Sequence, residues 1–227
     1  MEPAASPQAK LTEALRRLET THGRQTRYSS KAPMEQLIST ILSQRTTYAN
    51  ERAAFERMWS RYGSWQAIAA APVDELTEAI APSNYPEVKA PRIQAVIRQI
   101  EAERGEIDVA FLREWAPQAA MDWLMRLPGV GFKTATFLLL FVFRQPVLPV
   151  DTHVHRVSQR LGILGPKVSK DKAHTFLPTL LPRTADDLLN FHKLFFKHGQ
   201  RVCRWSKPAC GRCELQDLCD AFARGGM

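Results

Sequence analysis

The chain has 227 residues, enough for one large domain or two small ones. Its hydrophobic fraction of 44% is ordinary for a globular protein and too high for a disordered chain. The longest apolar run, residues 137–143, falls well short of the roughly 20 residues that a bilayer span needs, so a soluble protein is expected. The formal net charge of +8 suits a polyanionic partner, DNA being the commonest.

Residues 1–10 have no apolar stretch of the signal-peptide kind, so the protein is expected to stay in a reducing, cytoplasmic compartment, at the nucleoid in a prokaryote. Beyond them, helical spacing dominates. It recurs in Met34, Leu37, Ile38, Ile41 and Leu42, in Phe55, Met58, Trp59 and Tyr62, and in Ile93, Val96, Ile97 and Ile100. These stripes are expected to be core. Strand-like alternation is hard to find, and the valines of 145–150 stand between prolines, which argues against a central strand. An all-α protein is therefore expected. Its loops should lie near Pro72, Pro82–Pro91, Pro117, Pro128, Pro146–Pro149, Pro166 and Pro178–Pro182.

Residues 121–144 read as two helices around a tight turn. Pro128 disfavours helix at Leu127, so the first helix stops there. Gly129 and Gly131 allow positive φ and close backbone approach. A second, almost wholly apolar helix runs from about Phe132 to Phe143 and should be buried at the centre of a domain. The exposed amides of such a hairpin, at a positive helix end, can hold a phosphate without reading sequence. Lys133 falls in the first turn of this second helix. Asp151 precedes a helix expected over 153–161, where the simple role is that of an N-cap.

Between Phe191 and Cys213 there is no acidic residue but six basic ones: Lys193, Lys197, Arg201, Arg204, Lys207 and Arg212. Lys197, Arg201 and Arg204 share a face if the stretch is helical. All four cysteines follow in the pattern C-x6-C-x2-C-x5-C: Cys203, Cys210, Cys213 and Cys219. Clustered thiols in a reducing compartment point to a metal site, zinc or iron–sulfur, over disulfides.

The string Leu127-Pro128-Gly129-Val130-Gly131-Phe132-Lys133-Thr134-Ala135, followed by Val150-Asp151-Thr152-His153-Val154, resembles the helix–hairpin–helix DNA glycosylases, endonuclease III in particular. The likeness runs from about residue 30 to the last cysteine, and the cysteine spacing matches that family's four-iron loop at every step. The resemblance implies two helical domains flanking a DNA-binding cleft, one over 31–145 and one joining 1–30 to 146–227, with a 4Fe-4S cluster on Cys203, Cys210, Cys213 and Cys219. It implies a base-excision-repair glycosylase and abasic-site lyase acting, as a monomer, on oxidised pyrimidines in duplex DNA. Lys133 would be the nucleophile, and Asp151 would take its proton or offset positive charge on the sugar. Gln44, Arg45, Gly129, Val130, Gly131, Lys197, Arg201, Arg204 and Lys207 would meet DNA. His153 and His155 are expected to be packing residues or phosphate neighbours.

Three departures from the family pattern bear on substrate range. Arg45 stands where the family has the glutamine that fills the gap of a flipped base, with Gln44 adjacent. The second wedge loop, 81–89, is lengthened and interrupted by proline. Phe132 replaces a common arginine. A monofunctional glycosylase of other base preference, or a non-catalytic iron–sulfur DNA-binding protein, would keep the same architecture.

Overall fold

The structure is a computed structural model and describes residues 6–225. Among these residues every regular element is helical, so the all-α expectation holds. The α-helices are α1 (Pro7–His22), α2 (Pro33–Leu42), α3 (Tyr48–Tyr62), α4 (Trp65–Ala70), α5 (Val73–Ala79), α6 (Pro86–Arg104), α7 (Pro117–Met125), α8 (Phe132–Phe141), α9 (Thr152–Arg160), α10 (Lys170–Phe176), α11 (Ala185–Arg201) and α12 (Asp220–Ala223). No helix is long and apolar enough to cross a membrane among the described residues. The chain forms two compact units. One is Ser29–Phe143; the other combines the segment up to Tyr28 with the segment from Arg144 onward.

In the unit of residues 29–143, α8 is the apolar centre. Leu138, Leu139 and Leu140 are consecutive and all fully buried, as a helix hydrophobic on every side requires. Helices α2 and α7 pack against it, and α6 packs against α4 and α5. The expected stripe on α3 is only partly core. Met58 is fully buried, whereas Trp59 stays 37% exposed and stacks on Phe55 at 6.0 Å.

Pro72, Pro82, Pro128, Pro146, Pro149, Pro166 and Pro182 lie in loops or turns as expected, whereas Pro86, Pro91 and Pro117 fall within helices. Pro7, Pro33, Pro86 and Pro117 each open a helix, the position where a missing N–H costs nothing and φ is already helical. Helix α6 therefore begins at Pro86 and runs through Pro91, and only 81–85 remain of the loop expected over 81–89. Helix α8 ends at Phe141, two residues short of the expected Phe143.

In the other unit α9 packs along α11, and α1 lies against α11 as well. The chain's far ends are tied by Arg17 to Asp217 at 2.5 Å, and by Lys10 to Asp220. The α9–α11 crossing is close because α11 carries Gly199 there: a Cβ would stand 2.8 Å from the His153 Cβ and 3.3 Å from its Cα. Gly199→Ala is therefore expected to lower stability by about 1–3 kcal/mol through overpacking. A drop in the urea midpoint at unchanged slope is the readout, and an unchanged midpoint would show that the two helices separate freely.

Candidate functional site

The hairpin between α7 and α8 is built from the turn 126–131. Gly129 has φ 75°, a conformation that favours glycine, and a Cβ there would come within 2.8 Å of the Arg92 side chain, which would have to move. Gly131, by contrast, is extended at φ −95°, ψ 178°, and serves as the N-cap of α8; the positive φ allowed for it from sequence is not used. The Val130 side chain is buried, and its N–H is taken by the Leu127 carbonyl at 3.1 Å. No side-chain hydrogen bond caps α8, and its first turn holds no acidic residue, so no carboxylate on α8 itself offsets the positive end of the helix. Lys133 sits in that first turn, half-buried, with Nζ 5.2 Å from the Phe137 ring centre.

The turn after α2 reaches the same hairpin. Gln44 Nε2 donates to the Gly129 carbonyl at 3.0 Å. Arg45 diverges from it: φ is 53°, the side chain is exposed, and the guanidinium lies 5.9 Å from the Tyr85 ring centre.

Asp151 lies in the other unit. Its Oδ1 accepts from the N–H groups of both His153 and Val154 at 2.8 Å, so the carboxylate caps α9 and is fixed in place. The segment before it is pinned by buried histidines, with His192 Nδ1 2.9 Å from the Pro149 carbonyl and the His174 ring against Leu148 and Val150. His153 packs edge-on against Phe196 at 5.1 Å, and His155 Nε2 is 2.8 Å from the Val168 carbonyl.

Helix α9 also holds the cysteine loop. Arg156, largely buried, donates to the Cys203 carbonyl at 3.0 Å and the Gly199 carbonyl at 2.8 Å. Arg160 donates to the Arg204 carbonyl at 2.7 Å and the Trp205 carbonyl at 3.0 Å, and lies 3.4 Å from Cys203 Sγ. Cys203, Cys210, Cys213 and Cys219 are unpaired thiols lining one small cavity. Burial pushes the Cys213 thiol up to about 11 and raises that of Cys219, so without a cation these two remain neutral. Beside them the buried His198 places Nε2 3.7 Å from Cys213 Sγ and Nδ1 3.7 Å from a Glu214 carboxylate oxygen. His198, Cys213 and Glu214 form a three-donor group that shares Cys213 with the thiol set.

The basic residues are not one helical face. Lys197 and Arg201 lie on α11, but the helix ends at Arg201, so Arg204 and Lys207 belong to the loop beyond it. There Arg204 donates to the Lys207 carbonyl at 3.2 Å, and Lys207 has φ 51°. Arg201, Arg204 and Lys207 are exposed, Lys197 half-buried, and the Lys193 ammonium is turned onto the Arg27 carbonyl.

Residues 38–183 match the family described as HhH-GPD superfamily base excision DNA repair protein. An endonuclease III of Thermotoga maritima is 34% identical over 86% of this chain and 85% of its own length. The chain belongs to the endonuclease III family. An endonuclease III of Sulfolobus acidocaldarius is 32% identical over 82% of this chain and 81% of its own. Among solved structures, a trapped endonuclease III–DNA covalent intermediate superposes with a TM-score of 0.83 at 26% identity, covering 97% of this chain and 99% of that one. A non-covalent endonuclease III–DNA complex gives 0.82 at 27% identity, covering 96% and 97%. The protein is thus a base-excision DNA repair enzyme with the endonuclease III fold.

Sequence reading did not single out Arg92, Arg156 or Arg160. Apart from the His153 ring near Arg156, the groups they meet lie far along the chain, and no local pattern encodes them. The capping role of Asp151 is separable from any chemistry. Asp151→Ala loses both cap bonds and is expected to destabilise the protein by about 1 kcal/mol, while Asp151→Asn retains most of that. Thermal unfolding of the two variants measures the difference, and equal losses would show that the cap bonds are not what fixes this residue.

Proposed function

We propose that this protein is a bifunctional DNA glycosylase and abasic-site lyase that removes oxidised pyrimidines from duplex DNA. The observation that carries the reading is Lys133, placed directly after a phosphate-binding type of hairpin, in the first turn of a helix whose positive end is uncapped. The likeness to a structure titled as a trapped covalent intermediate with DNA supports an enzyme-bound route.

In this reading the neutral Lys133 amine attacks C1′ of the damaged nucleotide as the C1′–N bond breaks, and the base leaves with the electron pair and then takes a proton. The amine gives up its proton, the C1′–O4′ bond then breaks to open the sugar ring with O4′ taking a proton, and C1′ is left as a protonated imine on Lys133. Loss of a C2′ proton then expels the 3′ phosphate and cuts the strand. Asp151 accepts the amine proton or offsets the positive charge on the sugar, from a position that its two cap bonds hold. The hairpin backbone at Gly129 and Gly131 takes phosphate, the Val130 N–H being already bonded within the turn, with Gln44 and Arg45 near the lesion and Lys197, Arg201, Arg204 and Lys207 on the backbone farther along.

The four cysteines fit a 4Fe-4S cluster by their chemistry. They are unpaired thiols lining a single cavity, two of them held neutral by burial that a metal cation would reverse. Such a cluster would cross-link the loop that bears Arg204 and Lys207. Purified protein is expected to be yellow-brown and to hold about four irons per chain, as Cys-ligated clusters of this type do. One zinc per chain in colourless protein would replace this assignment.

The chemistry is tested by borohydride reduction. Wild-type protein should become cross-linked through Lys133 to duplexes bearing an abasic site or an oxidised pyrimidine. Lys133→Gln should lose trapping and strand cleavage while binding DNA within about twofold of wild type, since the hairpin and basic loop remain. Excision without trapping in the wild type would indicate a monofunctional glycosylase. Neither activity on any lesion would leave a DNA-binding protein without catalysis.

A further inference from the structure

A buried lysine lies behind Arg45. Lys89, in the first turns of α6, is 3% exposed and has no carboxylate among its hydrogen-bond partners. Its ammonium, with three N–H groups to donate, lies within hydrogen-bond distance of four acceptors: the carbonyls of Leu42 and Gln44 at 2.7 Å each, Thr46 Oγ1 at 2.9 Å and Ser83 Oγ at 2.7 Å. Three of these acceptors belong to the α2 end and the turn that follows it, and the fourth to the turn before α6. One cation therefore stitches two chain segments together.

The same two segments are joined at their tips. Asn84 donates from its side chain to the Arg45 carbonyl at 2.6 Å and from its backbone to Thr46 Oγ1 at 3.0 Å. Arg45 and Tyr85 both adopt left-handed backbone conformations, φ 53° and 59°, which non-glycine residues hold only where their surroundings dictate it. Both side chains are exposed, Tyr85 by 51%, and the guanidinium faces the ring. A flat cationic group and an aromatic ring, presented on a clamped double turn whose Gln44 contacts the hairpin, have the chemistry that stacks on bases.

We propose that Lys89 is a positioning residue that locks the 42–46 and 83–85 turns into one rigid unit, so that Arg45 and Tyr85 enter the base stack together when a lesion leaves it. The proposal rests on the glycosylase reading for its substrate, opened duplex DNA. Arg45 alone, at the end of a flexible side chain, would be a poor plug; Tyr85 supplies the rigid surface, and the ammonium keeps both in register. Burial pushes the Lys89 amine down to about 8, yet four acceptors surround its protonated form, and it remains a cation at neutral pH.

The test compares the full-length wild type with Lys89→Met, which keeps the side-chain length and removes the charge. Excision is timed on one lesion placed in a paired duplex and in an unpaired bubble. In parallel, 2-aminopurine next to the lesion reports unstacking without requiring chemistry. The bubble-to-duplex rate ratio should rise about tenfold in Lys89→Met, the size of one lost base–aromatic stack, and the 2-aminopurine signal should fall. Equal losses on both substrates, or no change in the ratio, would overturn the proposal. Tyr85→Ala, an exposed change that leaves the fold alone, must give the same shift even if Lys89→Met folds poorly; a wild-type ratio in Tyr85→Ala sinks the idea. If the wild type excises no lesion, the glycosylase reading fails, and 2-aminopurine signals equal in wild type and Tyr85→Ala would then reject this one separately.

Discussion

The reversal between α7 and α8 depends on a single residue without a side chain. Gly129 takes φ 75° against the stem of Arg92, and any Cβ there would push into that side chain while straining the backbone. The turn fixes where the apolar helix α8 begins, and the buried leucines of α8 fix how it sits among α2 and α7. Lys133 inherits its place from both. A reactive side chain in the first turn of a surface helix would wander with the helix end. Here the following turns are core and anchor the helix end.

A comparable economy holds in the other unit. Asp151 uses one oxygen to start α9, and α9 then uses Arg156 and Arg160 to hold the backbone around Cys203. The carboxylate and the cysteine loop are thus ends of one short rigid element, nine residues long. Gly199 lets α11, which leads into that loop, lie close against the same helix. Displacing the loop would strain guanidinium bonds that also orient the helix behind the carboxylate.

What the sequence made legible was local. The hairpin string, the cap at Asp151, the thiol spacing and the apolar α8 each follow from neighbours within a few positions, and the helical periodicity carried the fold class. The errors share one cause, which is that a residue's meaning changed with its place in an element. Prolines taken as loop markers at 86 and 91 start and pass through α6, because the first helical position tolerates a missing N–H. Arg204 fell off the expected basic face because α11 stops three residues before it. Lys89 had a visible signal, since it lies four and eight residues before Ile93 and Ile97 and so on the buried face of α6. Its role still depends on four acceptors, none nearer than Ser83, and spacing along the chain does not reveal those.

The division of the chain has a consequence for its synthesis. The unit from Ser29 to Phe143 is contiguous, and all of its packing partners have left the ribosome once α8 has emerged. Helix α1 is made before it but packs against α11 and, through Arg17 and Lys10, against residues near position 220. Those partners are translated after the contiguous unit. The middle of the protein can therefore fold during elongation, while the first helix waits, its apolar face at Leu11, Ala14 and Leu18 uncovered, for about 170 residues to be added. The order of folding runs from the middle segment outward, and emergence of α11 and of the segment near position 220 is what lets the second unit close.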